Sequence, residues 1–398
     1  MKFMKYSTVR KKLNFDGDMH KLACITHYLQ NTTSPVAELY KSVSITYLQN
    51  HLNLLTQDSD SFQLEWDIPF PPPKQPEFTF IDLFAGIGGF RIPLQKLGGK
   101  CLFSSEFNTY AQKSYELNFG EVPFGDIEQI PLDLIPQHDV LCAGFPCQPF
   151  SISGKMRGFE DTRGTLIYHV FKIIEAKQPE VVFLENVKHL IHHDKKRTLT
   201  TILTHLQELG YYVEKKLLNA TDFGLPQNRE RIIIIGSKSK KFDFSKLKYQ
   251  QRTVLKDFLD AEGEFEYLNE PYTILSEQKQ QKSGLIFAGY RNKAIRKVGV
   301  REGTENLSRV HKQPNRIYST NGVHPALPSQ ETSGRFWIFH NGKVRKLTIN
   351  ECYRIMGFPE TFRFINSKSE LYRQIGNSVA IPMINAVGEQ IKQQLLGK

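Results

Sequence analysis

Two side chains that could do chemistry follow two apolar runs of the sequence. Cys147 lies in a Pro- and Gly-rich loop after the run at 139–142, and Glu185 lies near the end of the run at 179–187. Both runs are predicted to be buried strands. Because ligands bind outside the carboxyl ends of strands in an open α/β sheet, the thiol and the carboxylate can face one cleft. The pair suits nucleophilic attack with proton transfer, whereas Cys147 taken alone fits a buried packing residue equally well.

A glycine-rich turn predicts a ligand site on the same sheet. The run at 78–84 is a predicted strand, and the glycine-rich stretch at 85–90 leads from it into a helical pattern. Glycines there let a ligand approach the backbone beside a helix N-terminus. A dinucleotide fingerprint would need another glycine where Arg91 stands, so the pattern favours a nucleoside over a phosphate-rich ligand. Glu106 follows the next strand and can accept both ribose hydroxyls, and Asp126 can accept from an adenine amino group.

Composition narrows the class of protein. The net charge of +11 predicts a polyanionic partner and favours nucleic acid, although a generally basic cytosolic protein would also fit. Five scattered cysteines without a CxxC pair favour a reducing compartment and argue against a structural zinc site. No apolar run approaches the ~20 residues of a membrane helix, and the N-terminus lacks a signal-peptide core. We therefore expect a cytoplasmic protein without a membrane span.

The chain is predicted to divide into an extension, a linker, a split catalytic domain and an inserted domain. The predicted boundaries are 1–68 for the helical extension, 69–77 for the Pro-rich linker, 78–240 and 340–398 for the α/β catalytic domain, and 241–339 for the insert. The insert loses the strand–helix alternation and carries many Arg and Lys residues between 291 and 316. This predicts a smaller, mostly β or irregular, nucleic-acid-reading domain, with a solvated basic face as the alternative.

The extension allows two interpretations. Residues 35–55 show helical periodicity with a polar break near 42–44. One interpretation is a helix-turn-helix whose second helix spans 47–55. The other, which we favour, is a small helical appendage packed on the main domain.

Six motifs, in this order, resemble those of the DNA (cytosine-5) methyltransferases of the HhaI-type bacterial group. They are Phe-Ala-Gly-Ile-Gly-Gly at 84–89, Gly-Phe-Pro-Cys-Gln at 144–148, Glu-Asn-Val at 185–187, Gln-x-Arg-x-Arg at 227–231, Arg-Lys-Leu-Thr at 345–348 and Gln-Ile-Gly-Asn-Ser-Val at 374–379. The resemblance extends over residues 78–398. It implies a Rossmann-like sheet with helices on both faces, S-adenosylmethionine as methyl donor without a metal, a flipped cytosine, and a target-recognition domain.

The resemblance also implies residue roles. Cys147 would add to C6 of the cytosine and Glu185 would engage N3 and the exocyclic amine. Arg231 would hold O2, and Arg229 of the same motif is expected to be a further catalytic residue. The implied donor-site residues are Phe84, Gly86, Ile87, Gly89, Glu106, Phe107, Asp126, Ile127, Gly144, Pro146, Leu166, Asn377, Ser378 and Val379. The implied DNA-contacting residues are Gln148, Ser151, Arg163, Gln313, Arg316 and Tyr318.

Partners follow from the same resemblance. The expected substrate is double-stranded DNA, read by a protein that acts as a monomer. A cognate restriction endonuclease for the same site fits this expectation, but the sequence leaves its presence open. Gln313 would fill the space left by the flipped base, and Arg316 would read a guanine. The loop at 148–163 would close over the base as a lid. The stretch at 322–336 departs from the family pattern, which leaves the full target sequence open.

Three rival functions remain open at this point. An RNA cytosine-5 methyltransferase would share the fold, but the recognition loop at 313–320 resembles those of DNA readers. A zinc-dependent base deaminase needs Pro-Cys-x-x-Cys, and Phe150 occupies the place of the second cysteine. A DNA-binding regulator on an inactive methyltransferase fold would not need Cys147, Glu185 and Arg231 together. Some members of the family carry an N-terminal module that represses their own gene, which would suit a helix-turn-helix extension.

Overall fold

The computed structural model describes residues 2–13, 18–32, 34–52, 62–146, 166–295, 303–304, 306–329 and 335–397. The helices among them are α1 Tyr6–Lys12, α2 Met19–Asn31, α3 Ala37–Leu52, α4 Arg91–Lys96, α5 Thr109–Phe119, α6 Leu166–Lys177, α7 Arg197–Glu208, α8 Ile349–Arg354, α9 Lys368–Asn377 and α10 Ile381–Gln394. The strands are β1 Lys2–Lys5, β2 Phe62–Glu65, β3 Phe78–Leu83, β4 Gly99–Ser105, β5 Val140–Ala143, β6 Val181–Val187, β7 Tyr212–Asn219, β8 Gln227–Asn228, β9 Glu230–Ser237, β10 Tyr272–Ile274, β11 Phe287–Arg291, β12 Arg316–Ser319, β13 His324–Pro325, β14 Trp337–His340 and β15 Lys343–Arg345.

A six-stranded sheet of order β4-β3-β5-β6-β9-β7 forms the centre of the catalytic domain. The first four strands are parallel, and β9 runs antiparallel to both β6 and β7. Continuous apolar runs form these strands because both faces of the sheet are covered. The predicted α/β class and the strands expected at the glycine-rich turn, before Cys147 and before Glu185 are confirmed.

The two faces of the sheet pack against different helices. Alternate residues of β3, β5, β6 and β9 point to opposite sides. One side packs on α2, α3, α6 and α7 through residues such as Phe103 and Leu184. The other side packs on α4 and α10 through residues such as Phe80 and Phe183. This arrangement leaves the carboxyl edge of the parallel strands open for ligands.

The reversed strand β9 brings two motifs together. In an antiparallel pair the start of one strand lies opposite the end of the other. Val187 at the end of β6 pairs with Arg231 at the start of β9. The guanidinium of Arg231 and the carboxylate of Glu185 therefore reach the same edge of the sheet.

A second sheet of order β10-β11-β12-β14-β15 forms the recognition sheet. It has its own small core of Leu268, Ala288, Ile317, Trp337 and Val344. All its pairs are antiparallel except β12 with β14. The strand-rich character expected of the insert is thus present, and its last strand continues to Arg345.

The extension is packed into the catalytic domain. One uninterrupted helix, α3, spans Ala37–Leu52, so the break expected near 42–44 is wrong, and residues 47–52 continue α3 instead of starting the second helix of a helix-turn-helix. Ser44 is buried and its hydroxyl donates to the carbonyl of Tyr40, which lets a polar residue continue the helix. Strands β1 and β2 pair in parallel to close the extension.

The Pro-rich segment is likewise packed on its neighbours. The backbone N–H of Phe70 donates to the carbonyl of Asn118, and its ring lies 5.4 Å from that of Phe119. The side-chain amide of Gln95 donates to the carbonyl of Phe70. The segment therefore follows the surface of the domain. Among the described residues, no helix is long and apolar enough to cross a bilayer.

Candidate active site

A cleft of about 1060 Å³ opens at the carboxyl edge of the central sheet, between that sheet and the recognition sheet. Loops after β3, β4, β5 and β6 form its floor, and α9 forms one wall. Its lining includes Phe84, Gly86, Ile87, Glu106, Phe107, Asp126, Ile127, Gly144, Pro146, Leu166, Glu185, Arg231, Gln313, Asn377 and Ser378. These residues include members of the motifs at 84–89, 144–148, 185–187, 227–231 and 374–379.

The nucleoside half of the cleft is organised by Glu106. Its Oε2 accepts the backbone N–H of Gly86 at 2.8 Å, and its Oε1 accepts that of Asn108 at 2.8 Å. Burial raises the pKa of Glu106, while these backbone donors favour its charged form. The carboxylate is thereby fixed in orientation with further lone pairs able to accept hydroxyl groups.

Two features beside Glu106 suit a planar base. Phe107 is 77% exposed although it lines the cleft, so its ring is available for stacking. The carboxylate of Asp126 accepts the backbone N–H of Glu128 and lies at the cleft wall with Ile127. This half of the cleft brings together Glu106, Phe107 and Asp126, the residues for which the sequence predicts ribose and adenine contacts.

The turn after β3 needs glycine for a specific reason. Gly88 has φ +86°, and a Cβ there would overlap the ring of Phe119. At Gly89 a Cβ would lie 2.6 Å from Cγ2 of Val379. Neither Gly89 nor Val379 lines the cleft, so the structure places both expected donor-site residues behind its wall. They permit close packing of the turn on the loop before α10.

The reactive half of the cleft contains a buried ion pair. Nε of Arg231 lies 2.9 Å from Oε1 of Glu185, and both side chains are largely buried. Burial raises the pKa of Glu185, and the charges of Arg231 and Arg229 oppose that shift. Burial lowers the pKa of Arg231, against the effect of Glu185. Such a site can hold a planar ring by hydrogen bonds and exchange a proton with it.

Asn186 is a functional residue that the sequence interpretation missed, although it belongs to the Glu-Asn-Val motif. Its side-chain amide donates to the carbonyl of Phe145 at 2.7 Å. This bond ties the end of β6 to the chain just before Cys147. The expected site residues Cys147, Gln148, Ser151 and Arg163 lie outside the described residues.

Arg229 does not share the position of Arg231. It is 1% exposed, and its guanidinium donates to the backbone carbonyls of Leu327, Gly376 and Ser378. Arg229 lies between β8 and β9, and these hydrogen bonds direct its guanidinium to the three carbonyls, so the lining of the cleft includes Arg231 and not Arg229. Its expected catalytic role is therefore corrected to a structural one that joins the recognition segment to the wall of the cleft.

Of the expected DNA-contacting residues that the structure describes, two are accessible and one is buried. Gln313 lines the cleft, and Arg316 lies half-buried at the start of β12 with its Nε donating to the carbonyl of His311 at 3.1 Å. Tyr318, by contrast, is 2% exposed and packs edge-on against Phe336. Tyr318 supports the recognition sheet from inside, so its expected contact with DNA is corrected.

Helix α9 contributes a wall that the sequence interpretation also missed. Glu370, Arg373 and Gln374 line the cleft one or two turns before Asn377. Their spacing of three and four residues places them on one helix face, a signal that was present in the sequence. Among the described residues, no group of three or more His, Cys, Asp and Glu side chains converges as a metal site.

The sheet order, the cleft at its carboxyl edge and the acid–guanidinium pair within it define an α/β protein with a candidate active site. Residues 78–393 match the family model of the C-5 cytosine-specific DNA methylases, and the chain belongs to that family. It is thus a DNA (cytosine-5) methyltransferase, as the motifs predicted, and the deaminase interpretation is wrong.

The sequence aligns with type II methyltransferases over most of its length. It is 41% identical over 327 residues to the type II methyltransferase M.HhaI of Haemophilus parahaemolyticus, covering 79% of this chain and 94% of the relative. It is 41% identical over 357 residues to M.HpaII of Haemophilus parainfluenzae, covering 86% and 97%. The Dnmt2 methyltransferase of S. pombe has the same fold, with a TM-score of 0.58 and 18% identity over 80% of this chain and 99% of that one.

Proposed function

We propose that the enzyme transfers a methyl group from S-adenosylmethionine to C5 of a cytosine flipped out of a short, specific duplex sequence. The observation that carries this proposal is the Glu185–Arg231 pair, which adjoins the nucleoside half of one continuous cleft. Glu185 is 7% exposed, so a base that remained stacked in a duplex could not reach it. The relatives are type II enzymes, which supports a role beside a restriction endonuclease of the same specificity.

The residues of the nucleoside half fit S-adenosylmethionine. Glu106 would accept the ribose hydroxyls, Phe107 would stack on the adenine, and Asp126 would accept from its amino group. The donor supplies an electrophilic methyl group on a sulfonium centre. The chain's part is to orient that methyl toward the base and to exclude water from the cleft.

The chain must also make C5 nucleophilic. Cys147 follows directly on Pro146, which lines the cleft, and its thiolate would form a bond to C6. The electron pair displaced from the C5–C6 bond is stabilised as Glu185 protonates N3 and Arg231 holds O2. C5 would then bond to the methyl carbon as the bond from that carbon to the sulfonium sulfur breaks, and S-adenosylhomocysteine would leave. Loss of the C5 proton to a base, with return of the N3 proton to Glu185, would restore the aromatic ring as the Cys147 thiolate leaves.

The first test is base-resolution methylation sequencing of a plasmid from a methylation-deficient host that expresses the chain. We expect methylated cytosines within one short motif, and none when Cys147→Ala is expressed. Cys24→Ala is the matched control, because Cys24 is a free, buried thiol of the extension. An unmethylated plasmid from cells with folded enzyme would contradict the DNA substrate, and labelling of total RNA would then show the RNA alternative.

A second prediction concerns the reading of the target. Replacing Arg316 with alanine is expected to relax specificity at one base by about 1–3 kcal/mol, because arginine reads guanine through two hydrogen bonds. Replacing exposed Lys312 is expected to weaken binding equally for all sequences, since a lysine near the backbone contributes mainly by charge. Methylation of a randomised duplex library by both variants measures the difference, and an unchanged motif for Arg316→Ala would contradict the assignment.

A further inference from the structure

Helix α2 of the extension buries an unusual row of polar side chains against the catalytic domain. Thr26, His27, Gln30 and Asn31 are each at most 5% exposed. Buried polar groups persist where they make hydrogen bonds, because an unpaired one costs about 1–3 kcal/mol. Three of these four side chains bond to the domain that carries the cleft, so the row has a purpose beyond packing.

The first contact is made by His27. Its Nδ1 lies 2.9 Å from the carbonyl of Ala23, and its Nε2 lies 3.2 Å from the backbone nitrogen of Ser104. A hydrogen on Nδ1 serves the carbonyl, which leaves Nε2 to accept the Ser104 N–H. Burial lowers the pKa of His27, against the effect of Glu121, so the ring is neutral. The 3.4 Å approach of Nε2 to Glu121 is therefore not an ion pair.

Ser104 lies in β4, two residues before Glu106. Its carbonyl accepts the N–H of Phe124 at 2.9 Å, and the N–H of Glu106 donates to the carbonyl of Phe124 at 2.7 Å. The neighbouring N–H of Val122 donates to the hydroxyl of Thr26 at 3.0 Å. Helix α2 thus hydrogen-bonds to β4 and to the segment at 122–124, and the backbone bonds between these two segments hold Glu106 at the cleft.

The second contact is made by Gln30. Its Oε1 accepts from Nη2 of Arg91 at 3.1 Å, and its Nε2 donates to the carbonyl of Phe119. Arg91 is the first residue of α4 and follows directly on the glycine-rich turn. Phe119 is the residue against which Gly88 of that turn packs. Gln30 therefore hydrogen-bonds to both residues that hold the glycine-rich turn in place, Arg91 and Phe119.

Arg91 itself is held in a buried network. Nη1 donates to Glu121 at 2.8 Å and to the hydroxyl of Tyr115 at 3.1 Å. Burial acts to lower the pKa of the Arg91 guanidinium, but Glu121, Tyr115 and Cys101 together outweigh burial and raise it. A buried guanidinium needs every available acceptor, and Gln30 is the one that the extension supplies.

We infer that α2 is an intramolecular clamp on the methyl-donor site, with His27 and Gln30 as positioning residues that set the affinity for the donor. The clamp joins the two elements that must stay in register for Gly86 to donate to Glu106. The inference rests on the proposed use of S-adenosylmethionine. It gives the extension a role in the donor site instead of a separate DNA-reading role.

The test is calorimetric binding of S-adenosylhomocysteine to the full chain and to four variants. His27→Ala and Gln30→Met are expected to raise the Kd about tenfold or more. His27→Gln keeps an acceptor for Ser104 and is expected to remain within about threefold of the wild type. Leu48→Ala removes a buried apolar contact of the same extension, so it should lower the Tm and leave the Kd unchanged. The Kd for a duplex, measured by fluorescence anisotropy, should stay constant throughout.

The outcomes separate the inference from the proposed function. Unchanged Kd values for His27→Ala and Gln30→Met would overturn the clamp and leave the donor site intact. A Kd that rises in Leu48→Ala as much as in those variants would also overturn it, because general destabilisation would then explain the effect. Methionine has nearly the volume of glutamine, so the Gln30→Met variant can still test the clamp if the His27→Ala variant does not fold. A wild-type chain that binds no S-adenosylhomocysteine would overturn the proposed donor and the clamp together.

Discussion

Replacing Glu185 with glutamine is expected to slow methyl transfer at least about 100-fold without unfolding the protein. The amide has nearly the same size but cannot deliver a proton to the ring nitrogen. Burial raises the pKa of Glu185, which extends the protonated form toward neutral pH. Above that raised pKa the carboxyl group is ionised and has no proton to deliver. The methyl-transfer rate of the wild type should therefore fall as the pH rises through the pKa of Glu185.

Single-turnover incorporation of labelled methyl groups into duplex DNA, followed across pH, measures this effect. We expect the variant to lose the limb of the pH profile that belongs to Glu185. Glu175→Gln, an exposed substitution on α6, is the matched control and should keep the wild-type profile. A Glu185→Gln rate within a factor of a few of the wild type would contradict the assigned proton transfer.

Replacing Arg229 with methionine is expected to lower the free energy of unfolding by more than about 3 kcal/mol. The change leaves three buried carbonyl groups without their donor, each worth about 1–3 kcal/mol. These carbonyls belong to Leu327, Gly376 and Ser378, which are distant in sequence and join at this side chain. The loss is a large part of the ~5–15 kcal/mol that stabilises a typical domain.

Denaturant unfolding followed by circular dichroism measures the loss. Arg252→Met is the control, because its exposed ion pair with Asp222 should contribute no more than about 1 kcal/mol. Arg229→Lys should recover only part of the stability, since an ammonium group cannot reproduce the planar fork. An unfolding midpoint for Arg229→Met equal to that of the control would show that the three carbonyls find other donors.

Much of the site was predictable because local chemistry determines it. The capping box at the start of α8 is formed by Thr348 and Glu351, three residues apart, and both of its reciprocal hydrogen bonds are present. The glycine-rich turn and the buried strands carry patterns that depend on neighbouring residues alone. For this reason Glu106 and Glu185 could be placed at one sheet edge from the sequence, whereas the position of Arg231 depends on the antiparallel pairing of β9 with β6.

The features of the fold and site that were not predicted depend mostly on contacts with residues far away in sequence. The burial of Tyr318 depends on the ring of Phe336, and the role of Arg229 depends on carbonyls about 100 and 150 residues later. The break expected in α3 fails because the Ser44 hydroxyl bonds within its own helix and faces the core. No local pattern contains the contact between His27 and Ser104, which joins the extension to β4.

The packing of α10 on α4 also constrains the order in which the molecule can be completed during synthesis. Residues of α10 such as Val387 and Ile391 cover Phe80 and Leu94, which are made about 300 residues earlier. At a synthesis rate of ~5–20 residues per second, roughly 15–60 s pass between the synthesis of Phe80 and that of α10. A nascent chain therefore lacks the α10 cover on one face of its sheet, and we expect newly made molecules to methylate DNA only after α10 has emerged.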